Sequence, residues 1–175
     1  LAQQLAGTRP AVAAQFERLR ELVGESIQST RALAHGLAPV AGGRGGLGGA
    51  LGLLAGRAEG GGGIGIGHGF ELDTPLTLGE VAGNHLYRIA QEAVGNAIRH
   101  GEARRITLEL QSRPGEVSLE IRDDGRGIAA GAELQEGFGL RSMRYRAQEL
   151  EGTLDVSSRP TGGLRVSITC PQPAG

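Results

Sequence analysis

The sequence contains no lysine and no tryptophan, and its single cysteine is Cys170. One cysteine excludes a disulfide within the chain. The absence of lysine also excludes a phosphate-binding loop of the Gly-Lys-Ser/Thr type. Aromatic residues make up only 3% of the chain, so the core must be built mainly from Leu, Ile, Val and Ala. There is no apolar run of about eighteen residues, as a membrane-spanning helix needs, and no secretory signal pattern.

Glycine is the residue type in excess, at 32 of 175 residues against an ordinary share of ~7%. The charges nearly cancel, because 18 arginines face 19 acidic residues and leave a formal net charge of −1. Domains that bind nucleic acid usually carry a basic excess, so we expect no direct nucleic-acid partner. The length suits one domain of ordinary size with a helical attachment.

The first part of the chain changes pattern near residue 40. Residues 10–38 carry apolar side chains at spacings of three and four, which predicts a long amphipathic helix that packs in a helical bundle or, alternatively, on its own domain. In residues 42–69, 15 of 28 are glycine, a composition typical of a flexible linker. Apolar residues persist there and leave open a short helix at 47–54 and a strand at 64–72.

Clearer signals follow Pro75. The apolar periodicity predicts a helix over Leu78–His100, with Thr77 and Glu80 as a capping box and Gly101 ending the helix. The apolar residues that we expect to face the core from this helix are Val81, Leu86, Ile89, Ala90, Ala93, Val94, Ala97 and Ile98.

Alternating apolar and polar residues then predict two pairs of strands. The first pair covers residues 106–110 and 117–121, and the second covers 154–156 and 164–168. A helix is predicted between the pairs, at residues 140–150. Strand pairs with helices over one face form an α+β sandwich.

One polar cluster lies on the first of these helices. Glu92, Asn96 and His100 recur every four residues and therefore share a face, with Arg99 beside them. The simple interpretation is a solvated helix surface. The functional alternative is a site of oxygen ligands, in which Asn96 offers Mg²⁺ a neutral carbonyl oxygen and Glu92 orients a water or acts as a base.

Two further segments combine glycines with the end of a strand or the start of a helix. Asp123–Gly127 follows a predicted strand, so it is either a plain turn or a close approach of backbone to a ligand. A buried carboxylate at Asp123 that accepts a hydrogen bond from an amino group would distinguish adenine from guanine. Gly137–Leu140 opens a helix, where free N–H groups and the helix dipole favour phosphate.

Together, and in this order, these segments resemble the motifs of sensor histidine kinases. Residues 86–101 resemble the N box, residues 121–128 the first glycine box and residues 137–144 the second. The resemblance is strong over residues 78–171 and looser over 1–39, and its details are similar to the subfamily that pairs with LuxR/NarL-type response regulators. The later glycines that also match are Gly152, Gly162 and Gly163.

The resemblance implies the Bergerat ATP-binding α/β sandwich of gyrase, heat-shock protein 90, histidine kinases and MutL. In this α+β fold, a mixed sheet carries helices on one face, and an α-helical dimerisation segment precedes it. ATP and Mg²⁺ are the implied cofactors, with Asn96 holding the metal, Glu92 assisting phosphoryl transfer and Asp123 binding the adenine amino group. Residues 128–139 would form a lid. The other implied cofactor-binding residues are Arg99, His100, Gly125, Gly127, Gly137, Phe138, Gly139 and Leu140.

The resemblance also divides the chain into three parts. Residues 1–40 would be partial dimerisation and phosphotransfer helices, 41–69 a glycine-rich connecting segment and 70–175 the ATP-binding catalytic domain. Residues 1–5 match the tail of the subfamily's phosphoacceptor motif. The phosphoacceptor histidine would then lie just upstream of this chain, which by itself would not phosphorylate its own histidine.

The implied function is that of the ATP-binding catalytic part of a two-component sensor histidine kinase. It would transfer the γ-phosphoryl group of ATP to that histidine, and thence to an aspartate of a LuxR/NarL-type response regulator. The helical segment would form a homodimer. The chain would be cytoplasmic, by itself or as the cytoplasmic part of a membrane-anchored sensor, with no membrane contact of its own.

Two departures from the family's pattern keep a second class open. The family often has Gly-Thr where this chain has Gly163 and Leu164, and the glycine density of residues 42–69 exceeds the family's usual composition. The alternative is therefore a degenerate module of the same fold that acts through non-catalytic binding or dimerisation.

Overall fold

The residues described by the computed structural model are Val40, 45–59, 65–73, 75–127 and 137–173. All of them belong to a compact unit that spans Ala38–Gly175. The predictions of a long helix at 10–38, of a dimerisation segment and of most of the lid lie outside the described residues. No helix among the described residues is long and apolar enough to cross a membrane.

Helices and strands follow one another along this unit and form one sheet with helices on one face. The elements are α1 (Gly46–Glu59), β1 (Gly65–Leu72), α2 (Glu80–Arg99), β2 (Arg105–Arg113), β3 (Glu116–Asp123), α3 (Phe138–Glu149), β4 (Thr153–Ser158) and β5 (Leu164–Pro171). The strand order is β1-β2-β3-β5-β4, with β1 parallel to β2 and every other pair antiparallel. The predicted α+β sandwich with a mixed sheet is therefore confirmed.

The core lies between the helices and the inner face of the sheet. Every second residue of β2 and β3 is buried, as expected for strands with one covered face. Burial of each Leu or Ile side chain stabilises the fold by about 1.5–3 kcal/mol, so aliphatic side chains can form the core although aromatic residues are few. The large side chains that are fully buried include Leu51, Leu86, Ile89, Ile106, Leu108, Leu110, Leu119 and Ile168.

The glycine-rich segment, which we expected to connect two domains, contributes a helix and a strand to this fold. Leu51 of α1 is fully buried, and α1 packs on α2 and β1. The strand β1 pairs with β2 along its whole length, so the expected domain start at residue 70 falls inside β1. Burial of the leucines and alanines of α1 stabilises this helix and offsets the conformational entropy that its glycines lose on folding.

Helix α2 begins later than the sequence predicted. Gly79 is its N-cap, without a side-chain hydrogen bond, so the predicted capping box is wrong. Thr77 is engaged elsewhere, because its hydroxyl donates to the Pro173 carbonyl at 2.7 Å. Val81 lies in the first turn and is 72% exposed, whereas the buried face of α2 begins at Gly83. The prediction that Val81 faces the core is therefore also wrong.

Candidate functional site

Asp123 is the last residue of β3 and continues the row of buried side chains that includes Leu119 and Ile121. Only 7% of the surface of Asp123 is exposed to solvent. Oδ1 accepts a hydrogen bond from the Gly125 N–H at 2.8 Å, the one bond that the carboxylate accepts within the described residues. A carboxylate can accept about four hydrogen bonds. Asp123 therefore offers a buried acceptor with capacity left for a donor from outside the chain.

Glycines make room for the backbone around Asp123. A Cβ at Gly125 would overlap the Gly101 carbonyl oxygen, and a Cβ at Gly163 would overlap the Asp123 carbonyl oxygen. Gly127 and Gly163 also have positive φ values of 67° and 83°, which L side chains rarely adopt. Glycine is thus required here by close packing as well as by conformation.

The neighbouring Asp124 has a different role. It is exposed, and its Oδ1 accepts hydrogen bonds from the N–H groups of Arg104 and Arg105 at 2.8 and 2.7 Å. These two bonds, chiefly the one from Arg105, hold the pKa of the Asp124 carboxyl below its usual value. Asp124 therefore fixes the turn after β3 to the end of the α2–β2 loop and to the first residue of β2.

Further contacts attach the same loop to the Asp123 turn. The Arg126 N–H donates to the Gly101 carbonyl at 2.9 Å, and the Arg126 guanidinium pairs with Glu102. Glu102 itself has a φ of 52°, so this loop holds a side chain in a conformation that favours glycine. Since Gly101 directly follows the last turn of α2, these bonds place the end of α2 beside Asp123.

The polar face predicted on α2 is present. Arg99 Nη2 lies 3.3 Å from Asn96 Oδ1, to which it donates, and 3.8 Å from Glu92 Oε1. Glu92 and Asn96 are half-buried, while Arg99 and His100 are exposed. His100 is the C-cap of the helix. An exposed ion pair at this distance contributes little stability, so Arg99 is free to exchange its partners for an anionic ligand.

The start of α3 meets this face. A Cβ at Gly139 would overlap Glu92 Oε1 and lie 3.4 Å from Asn96 Nδ2. Gly137 is the N-cap of α3, and the ring of Phe138 is 48% exposed. The side chain of Leu140 is buried in the core, so Leu140 has only its backbone to offer a ligand. Packing of Gly139 on α2 thus gathers Glu92, Asn96 and the free N–H groups of α3.

The structure therefore brings the predicted residues together in two groups along the C-terminal half of α2. One group surrounds Glu92 and Asn96, and the other surrounds Asp123. Sequence reasoning missed Arg159, whose guanidinium donates to the Asp123 carbonyl at 2.6 Å. It also missed the buried polar residues Ser112 and Gln172. No local pattern marks these three, because their partners are distant in sequence.

Residues 82–174, just over half of the chain, match the family of histidine kinase-, DNA gyrase B-, and HSP90-like ATPases. The chain belongs to this family. Among curated proteins, it is 36% identical over 88 residues to the sensor protein VraS of Staphylococcus saprophyticus and of Staphylococcus aureus. The match covers 50% of this chain and only 25% of each of those proteins.

Solved structures of histidine kinases share the fold of this ATPase-family domain. The histidine kinase domain of the blue-light activated kinase EL346 from Erythrobacter litoralis has a TM-score of 0.56 and 26% identity, over 71% of this chain and 60% of that one. The ATP binding domain of PrrB from Mycobacterium tuberculosis also has a TM-score of 0.56, with 22% identity over 70% of this chain and 90% of that one.

The residues of this ATPase-family domain fit a nucleotide and a magnesium ion. Asp123 presents a buried acceptor suited to an amino group. At Gly125, Gly139 and Gly163 there is no space for a Cβ atom, so the glycine backbone lies close against neighbouring polar side chains. The amide oxygen of Asn96 and the carboxylate of Glu92 are the hard oxygen ligands that Mg²⁺ prefers, and Mg²⁺ usually takes its remaining ligands from water and phosphate.

Proposed function

We propose that this chain is the ATP-binding catalytic part of a two-component sensor histidine kinase. The observation that carries the proposal is the Asp123 carboxylate, which is buried and yet accepts a single hydrogen bond within the described residues. A buried acceptor with spare capacity costs stability unless a ligand uses it. The amino group of adenine is such a donor, and guanine carries a carbonyl at the equivalent position.

The cluster on α2 is proposed to serve the phosphates. Asn96 holds Mg²⁺ through its amide oxygen, and Glu92 accepts a hydrogen bond or a proton beside the transferred group. The bound ion supplies charge neutralisation of the phosphate oxygens. Arg99 adds a positive charge, and Arg99 and His100 add N–H donors at the C-terminal end of α2. The backbone N–H groups at the start of α3, from Gly137 onward, orient the phosphates.

The reaction and its partners are proposed on the sequence resemblance and on the names of the relatives. The γ-phosphoryl group would pass to a histidine of the dimerisation helices, outside residues 1–175, and then to an aspartate of a LuxR/NarL-type response regulator. Residues 1–40 would contribute to a homodimer in the cytoplasm. Positioning and charge neutralisation supply most of the catalysis in phosphoryl transfer.

One observation favours a second candidate, the degenerate module of the same fold. Leu164 stands where the family often has threonine, and its half-buried side chain at the start of β5 brings no hydroxyl to the site. A protein of this kind would bind nucleotide weakly or not at all and would act through helical contacts. The two candidates therefore differ in nucleotide affinity.

Calorimetric titration of the chain with ATP, with and without Mg²⁺, distinguishes them. We expect binding that magnesium strengthens, and a loss of tenfold or more in Asp123→Asn, since a charge-assisted hydrogen bond is removed. Asp155→Asn is the matched control, because Asp155 is exposed on the edge strand β4 and lies beside Arg165. Absence of binding at millimolar ATP would contradict the kinase proposal and favour the degenerate module.

A further inference from the structure

Arg159 makes an unusual bond at the end of β3. The Asp124 N–H donates to the Arg105 carbonyl on β2. In a trans peptide the preceding carbonyl points the opposite way, so the carbonyl of Asp123 faces the β5 side. The β3–β5 pairing ends at Arg122 and Arg165, which leaves that carbonyl without a strand partner. The Arg159 guanidinium donates to it instead, at 2.6 Å.

The turn between β4 and β5 is shaped to make this contact. The Arg159 N–H donates to the Gly163 carbonyl, and the Gly162 N–H donates to the Arg159 carbonyl, both at 3.0 Å. Gly162 and Gly163 have φ values of 90° and 83°, which fold the turn tightly. A Cβ at Gly163 would lie 2.8 Å from Asp123 Oδ1. The turn thus presses glycine backbone and a half-buried arginine against Asp123.

Asp123 is consequently held on two sides. The Gly125 N–H holds its carboxylate, and Arg159 holds its main chain. A short hydrogen bond from a charged donor is about twice as strong as a neutral one. Release of the carbonyl would let the end of β3 shift, and a shift of a few tenths of an ångström weakens a directed hydrogen bond to a ligand.

We propose that Arg159 is a positioning residue that sets the preference of this site for adenine by holding Asp123 through its backbone. This inference rests on the proposed function, in which Asp123 accepts the adenine amino group. Arg159 acts through Asp123 and not by contact with the base. Its removal should therefore affect a nucleotide that has the amino group more than one that lacks it.

The experiment compares ATP with inosine triphosphate, in which a carbonyl replaces that amino group. Calorimetry on the whole chain gives the ratio of the two affinities for wild type and for Arg159→Met, which keeps the bulk and removes the donors. We expect the preference for ATP to fall about tenfold, while the affinity for inosine triphosphate changes little. Arg165→Met is the matched control, since Arg165 pairs with Glu120 and Asp155 on the sheet.

The outcomes separate this inference from the function beneath it. A wild type that binds neither nucleotide would overturn both. A wild type that prefers ATP, with the same preference in Arg159→Met or an equal loss for both nucleotides, would overturn the role of Arg159 alone. If Arg159→Met does not fold, Arg159→Gln decides the question, because a reduced preference supports the inference and an unchanged preference contradicts it.

Discussion

Asp123 and Gln172 are both polar side chains buried at the ends of strands, with 7% and 6% of their surface exposed. The amide of Gln172 is fully used, because its Nε2 donates to Ser112 Oγ at 2.8 Å and to the Arg113 carbonyl at 2.9 Å, and its Oε1 accepts from the Thr77 N–H at 3.2 Å. The carboxylate of Asp123 accepts one hydrogen bond within the described residues.

This difference separates a structural polar group from a binding one. Buried polar groups in folded proteins nearly always have partners, so a group with unused capacity calls for an explanation. Gln172 connects the chain end to the β2–β3 hairpin and to the approach to α2, and so stabilises the fold. Asp123 has its backbone fixed and its acceptor capacity free, and so is arranged for a ligand. The following changes test that contrast.

Gly163→Ala should have the largest effect, on both stability and binding. The positive φ costs about 1–2 kcal/mol for an L residue, and the overlap of the new Cβ with Asp123 adds about 1–3 kcal/mol. Denaturant unfolding and ATP calorimetry measure the two losses. Gly115→Ala is the matched control, since its φ is 79° and the space around it is open. Equal losses in the two variants would contradict the close packing on Asp123.

Gln172→Ala should lower stability by roughly 1–3 kcal/mol, because it leaves buried donors and acceptors without partners. The affinity for ATP should stay near that of wild type, in contrast to Asp123→Asn. Unfolding curves and calorimetry on the same samples check both statements. Gln148→Ala on the exposed surface of α3 serves as the control. A large loss of ATP affinity in Gln172→Ala would remove the contrast between the two buried groups.

Asp124→Ala should cause a smaller loss of stability that depends on pH. The hydrogen bonds to Oδ1 lower the pKa of Asp124 in the folded state below its ordinary value of 3.8. The unfolded chain therefore binds this proton more readily, and the stabilisation is present above about pH 4 and is lost as pH falls through the folded pKa. Unfolding free energies of wild type and variant should converge under acid conditions. If the difference in unfolding free energy between wild type and Asp124→Ala is the same at pH 7 and pH 3, the stabilisation does not come from the ionised Asp124 carboxylate.

His85 brings to the same comparison a buried polar atom without a partner. Its substitution should have the smallest effect on stability. Its Nδ1 has no hydrogen-bond partner among the described residues. Burial and the nearby Arg146 guanidinium lower the pKa of His85, while Glu149 opposes the shift. The unfolded state therefore takes up the proton first, and wild type should lose stability relative to His85→Gln as pH falls below about 6.5.

Unfolding free energies at pH 8, 7, 6 and 5.5 measure this effect. His68→Gln is the control, because His68 is exposed on β1. A difference between wild type and His85→Gln that is the same at all four values would show that burial of His85 does not couple its proton to folding.

Much of the central fold could be predicted because its signals are local. The predicted alternation of β2 and β3 is confirmed, and Gly115 between them has the positive φ of a tight turn. The capping box failed because Thr77 is bound by Gln172 and Pro173, which lie 95 and 96 positions further along the chain. Arg159 escaped detection for the same reason, since its partner Asp123 lies on another strand.

The sequence by itself determined the helices and strands from α2 onward, the order of the family's motifs and the gathering of Glu92 and Asn96 on one helix face. These follow from backbone periodicity and from the spacing of side chains a few residues apart. The tertiary structure decided that the glycine-rich segment supplies an edge strand, and that Asp123 is a buried carboxylate with one hydrogen bond while Asp124 is exposed and bonded to the N–H groups of Arg104 and Arg105. It did so because burial and the use of hydrogen bonds depend on residues that only the folded chain brings into contact.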